Sequence, residues 1–289
     1  MIKYLLSTLF IFTHLGYSQG YCALRHPQSK INKLYPECQN FETLISTIDD
    51  QTRLDVEQHL GFPLYFYEIG RHNLYTIKKE DDLLGIIHAR SEKSKWGLVE
   101  IIWSLDLNLN VDDFAFQRCR TSSKNRLLED DFKKIIRGKN FTEIKAILKN
   151  LVNNELYQNL NENQKTLTKI LLKSAIKTIA LTEYSWADEI KKLRLKHLSK
   201  KDEIEYQFIS SVNESDSNEL KFFKDTNDKH YFYIINKETQ NYYIGEHKEG
   251  KFNILYQPIL SPKSKDSMSF TSIKSLGSTL DKIPAVSEE

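Results

Sequence analysis

The hydrophobic positions of this chain change period twice. They fall two apart from Gly70 to Arg120, three to four apart through the middle, and two apart again after Asn213. In LVEIIWSL, Val99, Ile101, Trp103 and Leu105 share one face while Glu100 and Ser104 take the other, which predicts a strand with one core face. The preceding LLGIIHAR is rich in branched residues and holds Gly85. The following VDDFAFQRCR sets Phe114, Phe116, Arg118 and Arg120 on one side and Cys119 on the other. SEKSKWG and DLNLN suit short turns, so an antiparallel meander is expected. The aromatic stretch Phe62 to Glu68 reads as extended and as the start of that sheet.

Residues 23–60 read as helical. Phe41, Leu44, Ile45 and Ile48 recur at helical spacing after the Pro36 break, and a second short helix is capped by Thr52 or Asp50 and stopped by Gly61. Leu128, Phe132, Ile135 and Ile136 fit one helical face with Gly138 as a stop. Asn140 followed by Glu143 resembles a capping box, opening a helix with Phe141, Ile144, Ile147, Leu148 and Leu151 as its buried stripe. A longer helix is expected from Glu162 to His197, with Leu167, Ile170, Leu171, Ala175, Thr178 and Ile179 on or near one face. Beyond it, LKFF, HYFYII, NYYIGE and KFNILY are separated by polar turns. The fold class is therefore α+β, an antiparallel sheet packed with helices, plus a C-terminal antiparallel β-meander. The expected divisions are a leader at 1–20, an α+β domain at 21–212, the meander at 213–260, and a Ser- and Lys-rich, loosely ordered tail at 261–289.

The first twenty residues change the picture of location. Lys3, an apolar stretch and small residues at Gly16, Ser18 and Gly20 have the layout of a secretory signal, so export to the periplasm or cell envelope is expected. Thr13 and His14 interrupt a run already short for a membrane span. Charge changes the picture of partners. With 41 basic against 39 acidic residues the formal charge is +2, and no large field exists to attract nucleic acid or an anionic membrane, so local clusters must argue for themselves. The basic run KKLRLKHLSKK at 191–201 reads as a solvated face or as a peripheral contact with acidic lipid or a partner. Of the three cysteines, Cys22 and Cys38 form the simplest pair, leaving Cys119 unpaired; three free thiols buried as small hydrophobes is the other reading.

The strand ending near Gly85, the Gly97-led apolar strand, and the turn Asp106, Asn108, Asn110 followed by Val111 resemble the flavin mononucleotide (FMN)-binding domain of periplasmic subunits in membrane electron-transfer complexes. So does the helical LLKSAIKTIALTE, residues 171–183, which sits where that family carries its flavin-attachment motif. The resemblance implies FMN as cofactor and an envelope redox or assembly protein as partner. Ser174, Lys177 and Thr178 are the implied phosphate contacts, and Trp96 and Trp103 beside Gly97 the implied ring slot; Trp103 as a core residue of the strand is the other reading. The segment has no glycine, so the implied flavin is non-covalent.

Independently of that likeness, Arg71 and His72 form the densest polar pair near a turn. With His88 and Arg90 they are candidates to converge across a hairpin on an anionic ligand. Arg118 and Arg120 are candidates for phosphate or for pairing with Glu100. The eight histidines show no His-x-x-x-His or His-Glu-x-x-His spacing, and no Gly-x-Ser-x-Gly elbow or glycine-rich phosphate loop occurs. Two readings stand at this point. One is an exported FMN-binding-like protein accessory to envelope electron transfer; the other is a cofactor-free envelope binding or assembly module that keeps the fold.

Overall fold

The computed structural model describes residues 23–200, 207–215, 218–224, 230–236, 242–248, 251–258 and 260. The expected leader, Cys22 and the expected tail lie outside the described residues. The alternating stretches form five antiparallel strands in sequential order: β1 (Asn40–Ile48), β2 (Gly70–Lys79), β3 (Asp82–Ser94), β4 (Gly97–Leu105) and β5 (Val111–Arg118). Pairing carries one row across the sheet, with Leu44 beside Leu74, Leu74 beside His88, His88 beside Trp103, and Trp103 beside Phe114. Cross-strand neighbours share a face, so His88 sits in an otherwise apolar line.

Both faces of this sheet are covered, where the alternation pointed to one. Helix α1 (Pro27–Leu34) lies over the first face, where Leu24 and Ile31 pack with Tyr75, Ile77, Ile87, Ala89 and Ile102. Glu100 and Ser104 therefore lie under protein, at 1% and 2% exposure. Their polar atoms are satisfied there: Arg25 and Gln117 donate to Glu100 at 2.9 and 3.1 Å, and the Tyr35 hydroxyl shares a 2.6 Å hydrogen bond with Ser104 Oγ. Gly85 makes room for that hydroxyl, because a Cβ at this position would stand 2.1 Å from it.

The second face is covered by α7 (Glu162–Ser185), which also packs against α2 (Asp50–Leu60) and α5 (Phe141–Lys149). Every residue of α7 from Ser174 to Glu183 is buried, so the helix is enclosed all round rather than along one stripe. Short helices α3 (Lys124–Leu127), α4 (Asp130–Lys133) and α6 (Glu155–Gln158) join β5 to this layer, and α8 (Ala187–Lys200) follows it.

Several expected elements change. Residues 40–48 form an edge strand instead of a helix: Leu44, Ser46 and Ile48 turn inward while Phe41 meets Tyr75 edge-on across the α1 face. Spacings of three and four among four apolar residues fit either period over so short a run, and pairing with β2 decides. Asp49, rather than Thr52 or Asp50, caps α2 by accepting from Thr52 N at 2.8 Å. Phe66–Glu68 is a 3-10 turn, so the sheet resumes only at Gly70. The helix expected around 128–136 is two one-turn pieces, followed by Gly138 at φ 71°. The capping box at Asn140 and Glu143 forms reciprocally, with both bonds at 3.0 Å. The long helix breaks at Trp186, whose φ of −130° leaves the helical region. A bulge opposite Glu100 turns Arg118 off the Phe114 and Phe116 face and sets it 3.8 Å from Glu100, so this arginine pairs with the carboxylate.

A second unit begins at Lys192. Its strands, β6 (Gln207–Ser215), β7 (Asn218–Lys224), β8 (His230–Asn236), β9 (Tyr242–Lys248) and β10 (Lys251–Tyr256), pair in sequential antiparallel order. The first of them opens ahead of the division placed at 213. Arg194, within the basic run read as solvated, is 1% exposed and donates to the Tyr242 hydroxyl at 2.7 Å. Cys38 and Cys119 are free thiols, and Cys38 donates to the Asn40 carbonyl at 3.3 Å.

Candidate functional site

Alternation along β3 points His88, Arg90 and Glu92 toward α7, and α7 answers with Ser174, Lys177, Thr178 and Thr182. The 3-10 turn ahead of β2 adds Glu68 from the side. Lys177 Nζ donates to Glu68 Oε1 and to Glu92 Oε2, each at 2.8 Å. Arg90 Nη2 donates to the same Glu68 oxygen, and its Nε lies 3.8 Å from Glu92. All four side chains are no more than 6% exposed. Two cations and two carboxylates cancel, which is the arrangement that permits buried charge at all.

The two carboxylates differ. Burial pushes Glu68 upward, but the Arg90 and Lys177 charges outweigh it and leave its carboxyl below the usual range. For Glu92 burial prevails and its carboxyl titrates above the usual range. Glu92 is thus the member of the cluster that takes up a proton first on acidification.

Beside the ions runs a chain of neutral groups. His72 Nε2 lies 2.9 Å from the Glu68 carbonyl, His72 Nδ1 lies 3.2 Å from His88 Nε2, and His88 Nδ1 lies 2.9 Å from Thr182 Oγ1. Burial, with Arg90 nearby, lowers His72 to about 3. Burial, with His72 and Arg90, holds His88 well below the usual histidine range. Both rings are then neutral. His72 donates from Nε2 to the Glu68 carbonyl, and the single His88 proton is within reach of His72 Nδ1 and of the Thr178 backbone, to which that ring also bonds. The chain ends on a backbone carbonyl, so it anchors the turn and is not a route for a proton.

The expected site residues distribute unevenly. Lys177 and His72 belong to the cluster, as do Arg90 and His88. Arg71 is exposed, because adjacent residues of a strand point to opposite faces. Ser174 accepts from Trp103 Nε1 at 3.1 Å, and Thr178 Oγ1 donates to the Ser174 carbonyl at 2.8 Å. Both hydroxyls are fully buried and already engaged. Lys95 and Trp96 form the β3–β4 turn, Gly97 opens β4 at φ 92°, and Lys95 lies 4.9 Å over the Trp96 ring. It is Trp103, not Trp96, that meets Ser174.

An FMN phosphate needs donors with free capacity and space to approach. The Ser174–Thr178 turn offers neither, since Trp103, Glu68 and Glu92 fill that volume, so these residues do not fit the group. A cavity of about 370 Å³ elsewhere is lined by Arg126, Asp131, Glu155, Leu156, Asn159 and Leu160 and shares no residue with this region. Among the described residues no group of His, Cys, Asp and Glu could hold a metal ion, and no helix is long and apolar enough to cross a membrane.

Glu68 and Glu92 were missed from sequence. The spacing of His88, Arg90 and Glu92 by two carried a signal for Glu92, while nothing local marked Glu68. Comparison of the chain with protein-family models, with curated protein sequences and with solved structures returned no match.

Proposed function

We propose that this chain is a cofactor-free binding or assembly module of the cell envelope, in which the scaffold likened to a flavin domain holds charged side chains where a cofactor would sit. The observation that carries this reading is Lys177, clamped at 2.8 Å between Glu68 and Glu92 in the interface where a flavin phosphate was expected. A cluster of this kind fixes one arrangement of helix, strand and turn, at a cost in desolvation that an apolar core would avoid. Export is part of the proposal through the amino-terminal sequence alone.

The test is titration of the purified protein with FMN, followed by flavin fluorescence and visible absorption. No saturable binding, and a colourless protein on purification, are expected. Saturable binding that is lost in Ser174→Ala/Thr178→Ala would overturn the reading in favour of a flavoprotein.

A further inference from the structure

The segment that caps the charge cluster is also the most apolar exposed part of the first unit. Phe66 is 77% and Tyr65 53% exposed. Solvated residues this large normally pack away, and a group of them marks a contact surface. One exposed lysine lies on this turn, Lys93 over the Tyr67 ring at 4.5 Å, and two more follow in the segments that adjoin it, Lys95 over the Trp96 ring at 4.9 Å in the β3–β4 hairpin and Lys173 over the Phe62 ring at 5.1 Å. Several lysines elsewhere in this unit pair with carboxylates, as Lys78 with Glu42, Lys133 with Asp113 and Lys139 with Glu143, while Lys124 and Lys145 donate to backbone carbonyls. These three rest on aromatic faces and meet no carboxylate among the described residues.

We propose that this turn and the adjoining β3–β4 hairpin form a docking surface for an anionic lipid bilayer. Aromatic side chains flanked by lysines suit the headgroup layer, where the rings enter the apolar boundary and the ammonium groups meet phosphates and carboxylates. Single-stranded nucleic acid, the other polyanion that uses aromatic residues, needs open ring faces for stacking. Here Phe66 alone keeps an open ring: Tyr65 stacks on Tyr67 at 5.4 Å and receives Lys177 at 5.4 Å, and Trp96, Phe62 and Tyr67 each carry a lysine on one face. Ring edges and Phe66 remain to insert. The cluster below holds the turn in shape, because Glu68 Oε2 accepts from Tyr65 N at 2.8 Å while its other oxygen is bound by Lys177 and Arg90.

This inference gives the proposed module its partner and rests on that reading, but the two fail separately: saturable FMN binding would remove the first without touching vesicle binding. The experiment is co-sedimentation of the full chain with phosphatidylcholine vesicles that contain or lack phosphatidylserine, at low and at physiological salt. Wild type is expected to bind only the phosphatidylserine vesicles and to weaken with salt. Lys93→Gln/Lys95→Gln should weaken binding about 25-fold, from roughly five-fold per lysine at an anionic surface. Phe66→Ser should weaken it at both salt levels, with circular dichroism unchanged. Equal binding by the three proteins would assign the contact to another part of the chain and overturn the proposal. So would no binding at low salt, or competition by a single-stranded oligonucleotide that displaces the vesicles.

Discussion

Acidification should destabilise the first unit well before its carboxylates titrate. His72 and His88 are neutral in the fold, His72 lowered to about 3 and His88 well below the ordinary value, each by burial first. In the unfolded chain both recover a value of about 6.5. The unfolded state then binds more protons, so the stability is fully present above about pH 6.5 and falls as pH drops through it. Each such histidine costs up to about 1.4 kcal/mol per pH unit below that point, which comes to about 1.4 kcal/mol between pH 7.5 and 5.5, or roughly 3 kcal/mol for the pair. Glu92 acts in the opposite direction once pH nears the carboxylate range, since burial has raised it; the window therefore stops at about pH 5.5. All three tryptophans, Trp96, Trp103 and Trp186, lie in the first unit, so urea unfolding followed by their fluorescence reports on it alone. The midpoint should fall by roughly 1 M urea across that window. The variant His72→Gln/His88→Gln should lose most of the pH dependence, whatever its stability at neutral pH. Equal midpoints for wild type at the two pH values, or an undiminished dependence in the double variant, would refute the assignment of neutral buried rings.

The same unfolding assay checks three further outcomes. Lys177→Met leaves Glu68 and Glu92 buried without their shared cation and should cost about 3–5 kcal/mol, with Glu92→Gln/Lys177→Met costing less than the sum of the two single changes. Gly85→Ala places a methyl 2.1 Å from the Tyr35 hydroxyl and should cost about 1–3 kcal/mol, partly restored by Tyr35→Ala in the same chain; no loss would mean that Tyr35 sits elsewhere. Ser174→Ala removes the acceptor for the fully buried Trp103 indole and should cost about 1–3 kcal/mol, with a change in tryptophan emission that Thr166→Ala, at a half-buried position near the start of the same helix, does not produce.

Much of the site was legible as separate pieces. His72, His88, Arg90 and Lys177 were each singled out, and the convergence of the two histidines across a hairpin follows from their places on neighbouring antiparallel strands. Their company was not legible. Arg71 reads as equivalent to His72 in the sequence, yet adjacency in a strand sends the two to opposite faces. Glu68 lies in an aromatic stretch that read as extended, and only the 3-10 turn brings its carboxylate beneath Arg90 and Lys177. Ser174 and Thr178 read as phosphate donors because local sequence does not report burial, and both proved to be engaged with Trp103 and the helix backbone.

By itself the sequence determined what local physics determines: period-two strands from β2 to β5 and again from β7 to β10, the reciprocal cap at Asn140 and Glu143, the left-handed stop at Gly138, and a buried Trp103. These depend on alternation, capping and backbone sterics within a few residues. The tertiary structure alone decided that 40–48 is a strand, since its four apolar residues fit both periods until β2 offered a ladder. It alone decided that Glu100 and Ser104 are interior, since a second covering layer leaves no mark on the strand it covers. It alone closed the charge cluster, because four ions from β3, α7 and a distant turn become stable together only when each supplies the counter-charge that burial demands of the others.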